Sequence, residues 1–192
     1  KMSPNFIGSW CVEPKSVCDK LIDLFESRAD QQSSGVSGGI LNKQAKNSVD
    51  MTIYPKDLDA PGNEVFKSYF ESLFACYKDY ILQWPLFKEF GGNLEIGAFN
   101  LQKYGQGQHF QKVHAERGSL ATLHRVLAWM TYLNDLEPPD GGATYFNHYD
   151  LEVQPKKGLT LIWPAEWTHA HCGNQVVKGH KYIITGWLHF PQ

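Results

Sequence analysis

Apolar positions recur at helical spacing in two stretches of the N-terminal half. In "PKSVCDKLIDLFESR" (14–28), Val17, Leu21, Leu24 and Phe25 fall on one face of a 3.6-residue repeat, and Pro14 suits a first-turn position. From Glu64 to Leu82 the pattern returns with Phe66, Tyr69, Phe70, Leu73, Phe74, Tyr77 and Ile81. This predicts a long amphipathic helix that ends before Pro85 and buries its aromatic stripe as core. Between the two, "ADQQSSGVSGGILNKQAKNSVD" is polar and rich in Gly and Ser, which predicts a mobile loop or a weak hairpin.

The texture changes from Leu94 onward. Runs of β-branched and aromatic residues, "LEIGAFNLQKYG", "HRVLAWMTYLND", "ATYFNHYDLEVQP", "GLTLIWPA" and "HKYIITGWLHF", alternate with breaks such as "EPPDGG", "QPKKG" and "CGN". Short strands at this spacing predict an antiparallel sandwich or jelly roll. The fold expected is α+β and a single domain, with residues 1–92 as mainly helical support and loop and 93–192 as the jelly-roll core.

Composition narrows the class. The chain has 192 residues, 42% hydrophobic and 14% aromatic, enough to build a core without disulfides and too apolar for disorder. Net charge is −2 with both signs interspersed, so neither a nucleic-acid footprint nor a membrane-surface patch is expected. No apolar run approaches the roughly 18 residues of a membrane span. Cys11, Cys18, Cys76 and Cys172 are scattered, without zinc-finger spacing, and read as free thiols in a reducing compartment. No signal-peptide pattern opens the sequence, although residue 1 is Lys; a cytoplasmic location is the expectation.

Candidate chemistry begins at His114 and Glu116. In an extended segment, residues i and i+2 share a face, so an imidazole and a carboxylate can converge. A second histidine from a distant strand would complete two histidines and one carboxylate, a set that leaves octahedral positions open on a non-haem Fe(II). The absence of thiolates from the set argues against structural zinc. H-x-E alone is a weak signal. "EWTHAHCGNQVVKGHKYIITGW" (166–187) offers His169, His171 and His180 as the distal partner.

Five segments in order, "YGQGQHFQKVHAE", "RVLAWMTYLND", "GGATYF", "VQPKKGLTLIWP" and "HCGNQVVKGHK", resemble the prolyl 4-hydroxylase-like branch of the Fe(II)/2-oxoglutarate dioxygenases. The resemblance runs from about Phe99 to Phe190, and implies a double-stranded β-helix (jelly roll) core with supporting N-terminal helices. It implies His171 as the distal ligand, because Gly173, Val176, Gly179 and Lys181 follow in the family's pattern. His169 is then expected at the pocket rim or exposed, and His180 on the face opposite Lys181. Lys181 would grip the distal carboxylate of 2-oxoglutarate. Tyr104 and Tyr132 would hydrogen-bond the same co-substrate, Thr185 would add a hydroxyl contact, and Arg125 and Trp187 would face the substrate.

The activity this implies is hydroxylation of proline in a peptide or protein (procollagen-proline 4-dioxygenase-like). The cofactors would be Fe(II), 2-oxoglutarate and O2, with ascorbate an optional reductant. A nucleic-acid demethylase of the same chemistry would carry R-x5-R where this chain reads Lys181 to Trp187. A non-catalytic jelly-roll binding module is the reading from another class. Two departures from the family pattern stand out: H-A-E replaces H-x-D, and Gln175 replaces a common proline. His109, His124 and His148 read as strand or loop residues and Cys172 as packing. The polar segment from Ala29 to Ala60 is placed to help cover a substrate.

Overall fold

Both helical stretches form as their apolar spacing dictates. In the structure, a computed structural model that describes residues 5–191, α1 spans Ser16–Ser27, α2 Glu64–Gln83 and α3 Pro85–Gly91. Trp84 ends α2 outside the helical region, which the residue before a proline disfavours, and Pro85 then opens α3 at its first turn. The face α2 buries is Phe66, Tyr69, Phe70, Leu73, Cys76, Tyr77 and Tyr80; Phe74 lies just off that face and is exposed. Among the described residues no helix is long and apolar enough to cross a membrane.

Among the described residues there are twelve strands, in chain order β1 Gly8–Cys11, β2 Ser33–Ser34, β3 Val49–Ile53, β4 Glu95–Ile96, β5 Phe99–Tyr104, β6 Phe110–His114, β7 Arg125–Tyr132, β8 Thr144–Phe146, β9 Leu151–Val153, β10 Leu159–Pro164, β11 His171–Gly173 and β12 Lys181–His189. They build two antiparallel sheets. The larger runs β1-β10-β7-β12-β5-β3-β2, with β4 also paired to the end of β12; the smaller runs β6-β11-β8-β9. The N-terminal half therefore adds β1, β2 and β3 to the sheet besides its helices. Val49–Ile53 alternates weakly, and the polar run before it hid this strand from the sequence pattern.

Alternation along β12 separates two apolar layers. Ile184 and Leu188 face α1 and α2 with Phe25, Phe66, Tyr69, Phe99 and Trp129, whereas Ile183 faces the smaller sheet with Tyr104, Tyr132, Phe146, Leu161 and Trp163. Lys181, Thr185 and Trp187 share the Ile183 face, so β12 delivers them to the space between the sheets. A buried hydroxyl chain, Tyr69 to Thr131 (2.8 Å) to Thr160 (2.6 Å), ties α2 to β7 and β10. Each of these hydroxyls is thereby satisfied in an apolar layer.

The polar segment, expected to be a mobile loop or a weak hairpin, pairs β2 with β3 and is strapped to β6. Ala45 accepts a backbone hydrogen bond from Lys112, and Asn47 exchanges a pair with His109. Beneath the strap, Lys46 pairs with Asp50 at 2.5 Å, and Asp50 also accepts from Ser48 (2.7 Å) and Gln102 (3.1 Å). These polar groups are buried together, and their mutual bonds are what allow a Gly/Ser-rich segment to hold one path.

Candidate metal centre

β6 ends at His114, and β11 begins at His171 directly opposite it in the antiparallel register. Glu116 follows two residues after His114. Its Oε1 lies 3.6 Å from His114 Nε2 and 3.3 Å from His171 Nε2. One ligand atom from each residue falls within 4.8 Å of the other two, and among the described residues only this group of His, Cys, Asp or Glu side chains converges so.

The two rings are oriented from behind. His114 Nδ1 donates to the Lys112 carbonyl at 2.8 Å, and His171 Nδ1 to the His169 carbonyl at 2.9 Å. Donation from Nδ1 turns each Nε2 towards Glu116 Oε1, the side from which a metal would be held. Phe110 stacks flat on His114, with centroids 3.9 Å apart and planes 14° from parallel. Trp163 and Phe146 wall His171 at 5.1 and 5.5 Å. Burial disfavours the Glu116 carboxylate, yet hydrogen bonding and charge from the two histidines hold its pKa well below the usual carboxylate range. The site thus carries an ionised oxygen ligand.

The second carboxylate oxygen is also engaged. Trp187 Nε1 donates to Glu116 Oε2 at 2.7 Å. The Arg125 guanidinium lies 3.6 Å over the Trp187 ring and donates to the Glu116 backbone carbonyl at 3.1 Å. Arg125 and Trp187 are both half-buried beside the ligand set.

Lys181, opposite Tyr104 in the β12–β5 register, is only 3% exposed. Its ammonium donates one hydrogen bond, to the Gly142 carbonyl at 2.9 Å, and sits 4.6 Å from the centre of the Tyr104 ring. Among the described residues no acidic side chain pairs with it. Burial pulls its pKa down to about 8. On β11, Gly173 shares a face with His171, and a Cβ there would come 3.6 Å from the ammonium. The missing side chain leaves the cation open towards the ligand set.

The remaining expected contacts fall differently. Tyr104 reaches Lys181 through its ring, while its hydroxyl donates to Gln102 at 2.8 Å. The Tyr132 hydroxyl is held by Thr144 (2.6 Å) and the Val153 carbonyl (3.1 Å), and Thr185 donates to the Trp129 carbonyl at 2.9 Å. His169 is buried, neither at the rim nor exposed: its Nε2 donates to the Asn5 carbonyl at 2.8 Å and its Nδ1 meets Thr168 at 2.9 Å. His180 is exposed. Sequence reasoning missed Phe110, although its i, i+4 relation to His114 on one strand face was a usable signal. It also missed Asp50 and Lys46, whose polar surroundings gave none.

Two nitrogen ligands and one carboxylate, without a thiolate, suit a redox-active divalent metal with open positions. A buried ammonium with protons left over suits an anionic oxygen ligand nearby. Fold and site thus define a jelly roll built around a two-histidine, one-carboxylate centre. Residues 99–189 match the family model for the 2OG-Fe(II) oxygenase superfamily. The chain is 31% identical over 77 residues to prolyl 4-hydroxylase subunit alpha-1 of Gallus gallus, an alignment covering 36% of this chain and 14% of that relative's length. Among solved structures it matches the viral collagen prolyl hydroxylase vCPH of Paramecium Bursaria Chlorella virus-1, a 2OG complex, with a TM-score of 0.71, 18% identity and 97% of each chain covered. A prolyl hydroxylase from Trichoplax adhaerens, in complex with a hypoxia inducible factor oxygen degradation domain peptide fragment, matches with a TM-score of 0.72 and 17% identity. That match covers 96% of this chain and 84% of the other. At these identities the structural matches establish the fold.

Proposed function

We propose that this chain is an Fe(II)- and 2-oxoglutarate-dependent dioxygenase that hydroxylates proline in a peptide or protein. The observation that carries the reading is the convergence of His114 Nε2, His171 Nε2 and Glu116 Oε1 within 4.8 Å, with both imidazoles fixed by their Nδ1 bonds. Iron and 2-oxoglutarate, when bound, supply O2-dependent hydroxylation of an unactivated C–H bond, with succinate and CO2 as co-products.

The protein's own groups divide the work. The triad presents two imidazole nitrogens and one carboxylate, which would leave the remaining metal positions for exogenous ligands. Lys181 takes the far carboxylate of the oxo acid, and the Tyr104 ring shields that ion pair from water. Tyr132 and Thr185 already donate within the protein, so their role is to pack the space between the sheets near Lys181. Arg125 and Trp187 stand where the triad meets the surface and would meet the substrate there. Proline in a peptide is the substrate class because the relatives are named prolyl hydroxylases and one is solved with a peptide fragment.

The test is an anaerobic titration of metal-free protein with Fe(II) and then 2-oxoglutarate, followed in the visible region. A charge-transfer band of the chelated oxo acid in wild type, absent in His171→Ala, is the expected result. No band in wild type overturns the reading.

A further inference from the structure

Glu116 is a long, flexible side chain in a half-buried position, and the two oxygens of its carboxylate have different neighbours. Oε1 faces both imidazoles. Oε2 accepts the Trp187 indole N–H at 2.7 Å. The indole is itself held: Arg125 stacks on it at 3.6 Å and clamps the Glu116 backbone carbonyl at 3.1 Å. Arg125 thus grips Glu116 from its main chain and, through Trp187, from its side chain. An Arg125 Nη1 to Oε2 separation of 3.9 Å adds charge attraction without a direct hydrogen bond.

We infer that Trp187, braced by Arg125, is the positioning residue that makes Glu116 a one-oxygen ligand, turning Oε1 to the metal and withholding Oε2. A glutamate has one more rotatable bond than an aspartate, and left alone it could chelate with both oxygens or swing aside. A donor on the outer oxygen removes both alternatives and keeps open the metal positions that the exogenous ligands need. Such outer partners commonly change metal affinity about 10–100-fold when removed. The inference rests on the metal centre of the proposed function and goes beyond it, because it gives Trp187 and Arg125 a role in the resting site, before any substrate arrives.

The test is a double-mutant cycle read by Co(II) affinity from its visible absorption, with no turnover involved. Trp187→Phe keeps the ring for Arg125 to stack on and deletes the N–H. In the wild-type background it should weaken Co(II) binding about tenfold. In the Glu116→Asp background, where the shorter arm cannot reach both the metal and the indole, the same change should alter affinity less than about twofold. A merely structural Trp187 would cost the same in both backgrounds, and equal losses would overturn the inference while leaving the metal centre intact. No loss in the wild-type background would overturn it as well. A wild-type protein that binds no Co(II) would sink the metal centre and this role together. Thermal unfolding of the four metal-free proteins identifies any variant that fails to fold, and in that event Trp187→His, which restores a ring N–H, must recover affinity for the inference to stand.

Discussion

Lys46 and Asp50 form a 2.5 Å ion pair inside the protein, with side chains only 5% and 9% exposed. The pair is the anchor of the strap over β6, and Gln102 links it to the Tyr104 hydroxyl under Lys181. Removing one partner leaves a buried charge without compensation. Asp50→Ala should therefore cost about 3–5 kcal/mol. The joint change Lys46→Met with Asp50→Leu should cost much less, since no orphan charge remains. Urea unfolding midpoints of the wild type and the two variants decide this; a milder single than double variant would refute it.

Lys181 gives a pH signature. Its pKa drops from the usual 10.5 to about 8 through burial, so between those values the unfolded chain holds a proton that the folded chain has released. Stability of the protein without metal or oxo acid then carries a Lys181 contribution that rises with pH across this window. The penalty is complete below about pH 8 and fully relieved above 10.5. The gap between wild type and Lys181→Met should close by on the order of 3 kcal/mol as pH rises through it. Parallel stability curves would count against a buried unpaired ammonium. By the same ionisation, 2-oxoglutarate binding should weaken above about pH 8.

Three histidines near one another in sequence should separate cleanly in experiment. His171→Ala should abolish metal-dependent turnover. His169→Ala should retain the metal centre but lose about 1–3 kcal/mol of stability, because the Asn5 carbonyl loses its buried donor. His180→Ala, at an exposed position, should change stability within about 0.5 kcal/mol. Metal titration alongside thermal unfolding reads both effects. A metal-dead His169→Ala would mean that the distal ligand has been misassigned.

Phe110→Ala tests the ring stacked on His114. An aromatic pair of this kind contributes about 0.5–1.5 kcal/mol. Metal affinity should therefore fall about 2–10-fold, with Phe110→Tyr close to wild type. Equal affinities for Phe110→Ala and wild type would show that the Lys112 carbonyl alone orients the imidazole.

The sequence carried the fold where apolar periodicity was strong. The α2 stripe and the strand runs after Leu94 could be placed because a 3.6 repeat and a period of two are distinct signals over many residues. β3 was not legible, since its burial comes from Asp50 and Met51 as much as from β-branched residues. At the site, His114 and Glu116 could be paired from their i, i+2 spacing, whereas the choice of His171 over His169 depended on resemblance. Alternation would have put both on one face, and only the turn at Trp167–His169 sends one inward to Asn5 and the other to the triad. The hydrogen bond from Trp187 to Glu116 joins strand and loop positions far apart in the chain, and no local pattern encodes it.

The cross-strand placement of His114 opposite His171 has a mechanical consequence. The smaller sheet is made of strands of three to five residues, and β6 meets β11 through an irregular register with two partnered positions. An ion held by both histidines would act as a rivet across that seam, closing a long stretch of chain much as a covalent crosslink does. Loss of the ion would then loosen the lip of the barrel as well as silence the chemistry, so metal content and resistance to unfolding should rise and fall together.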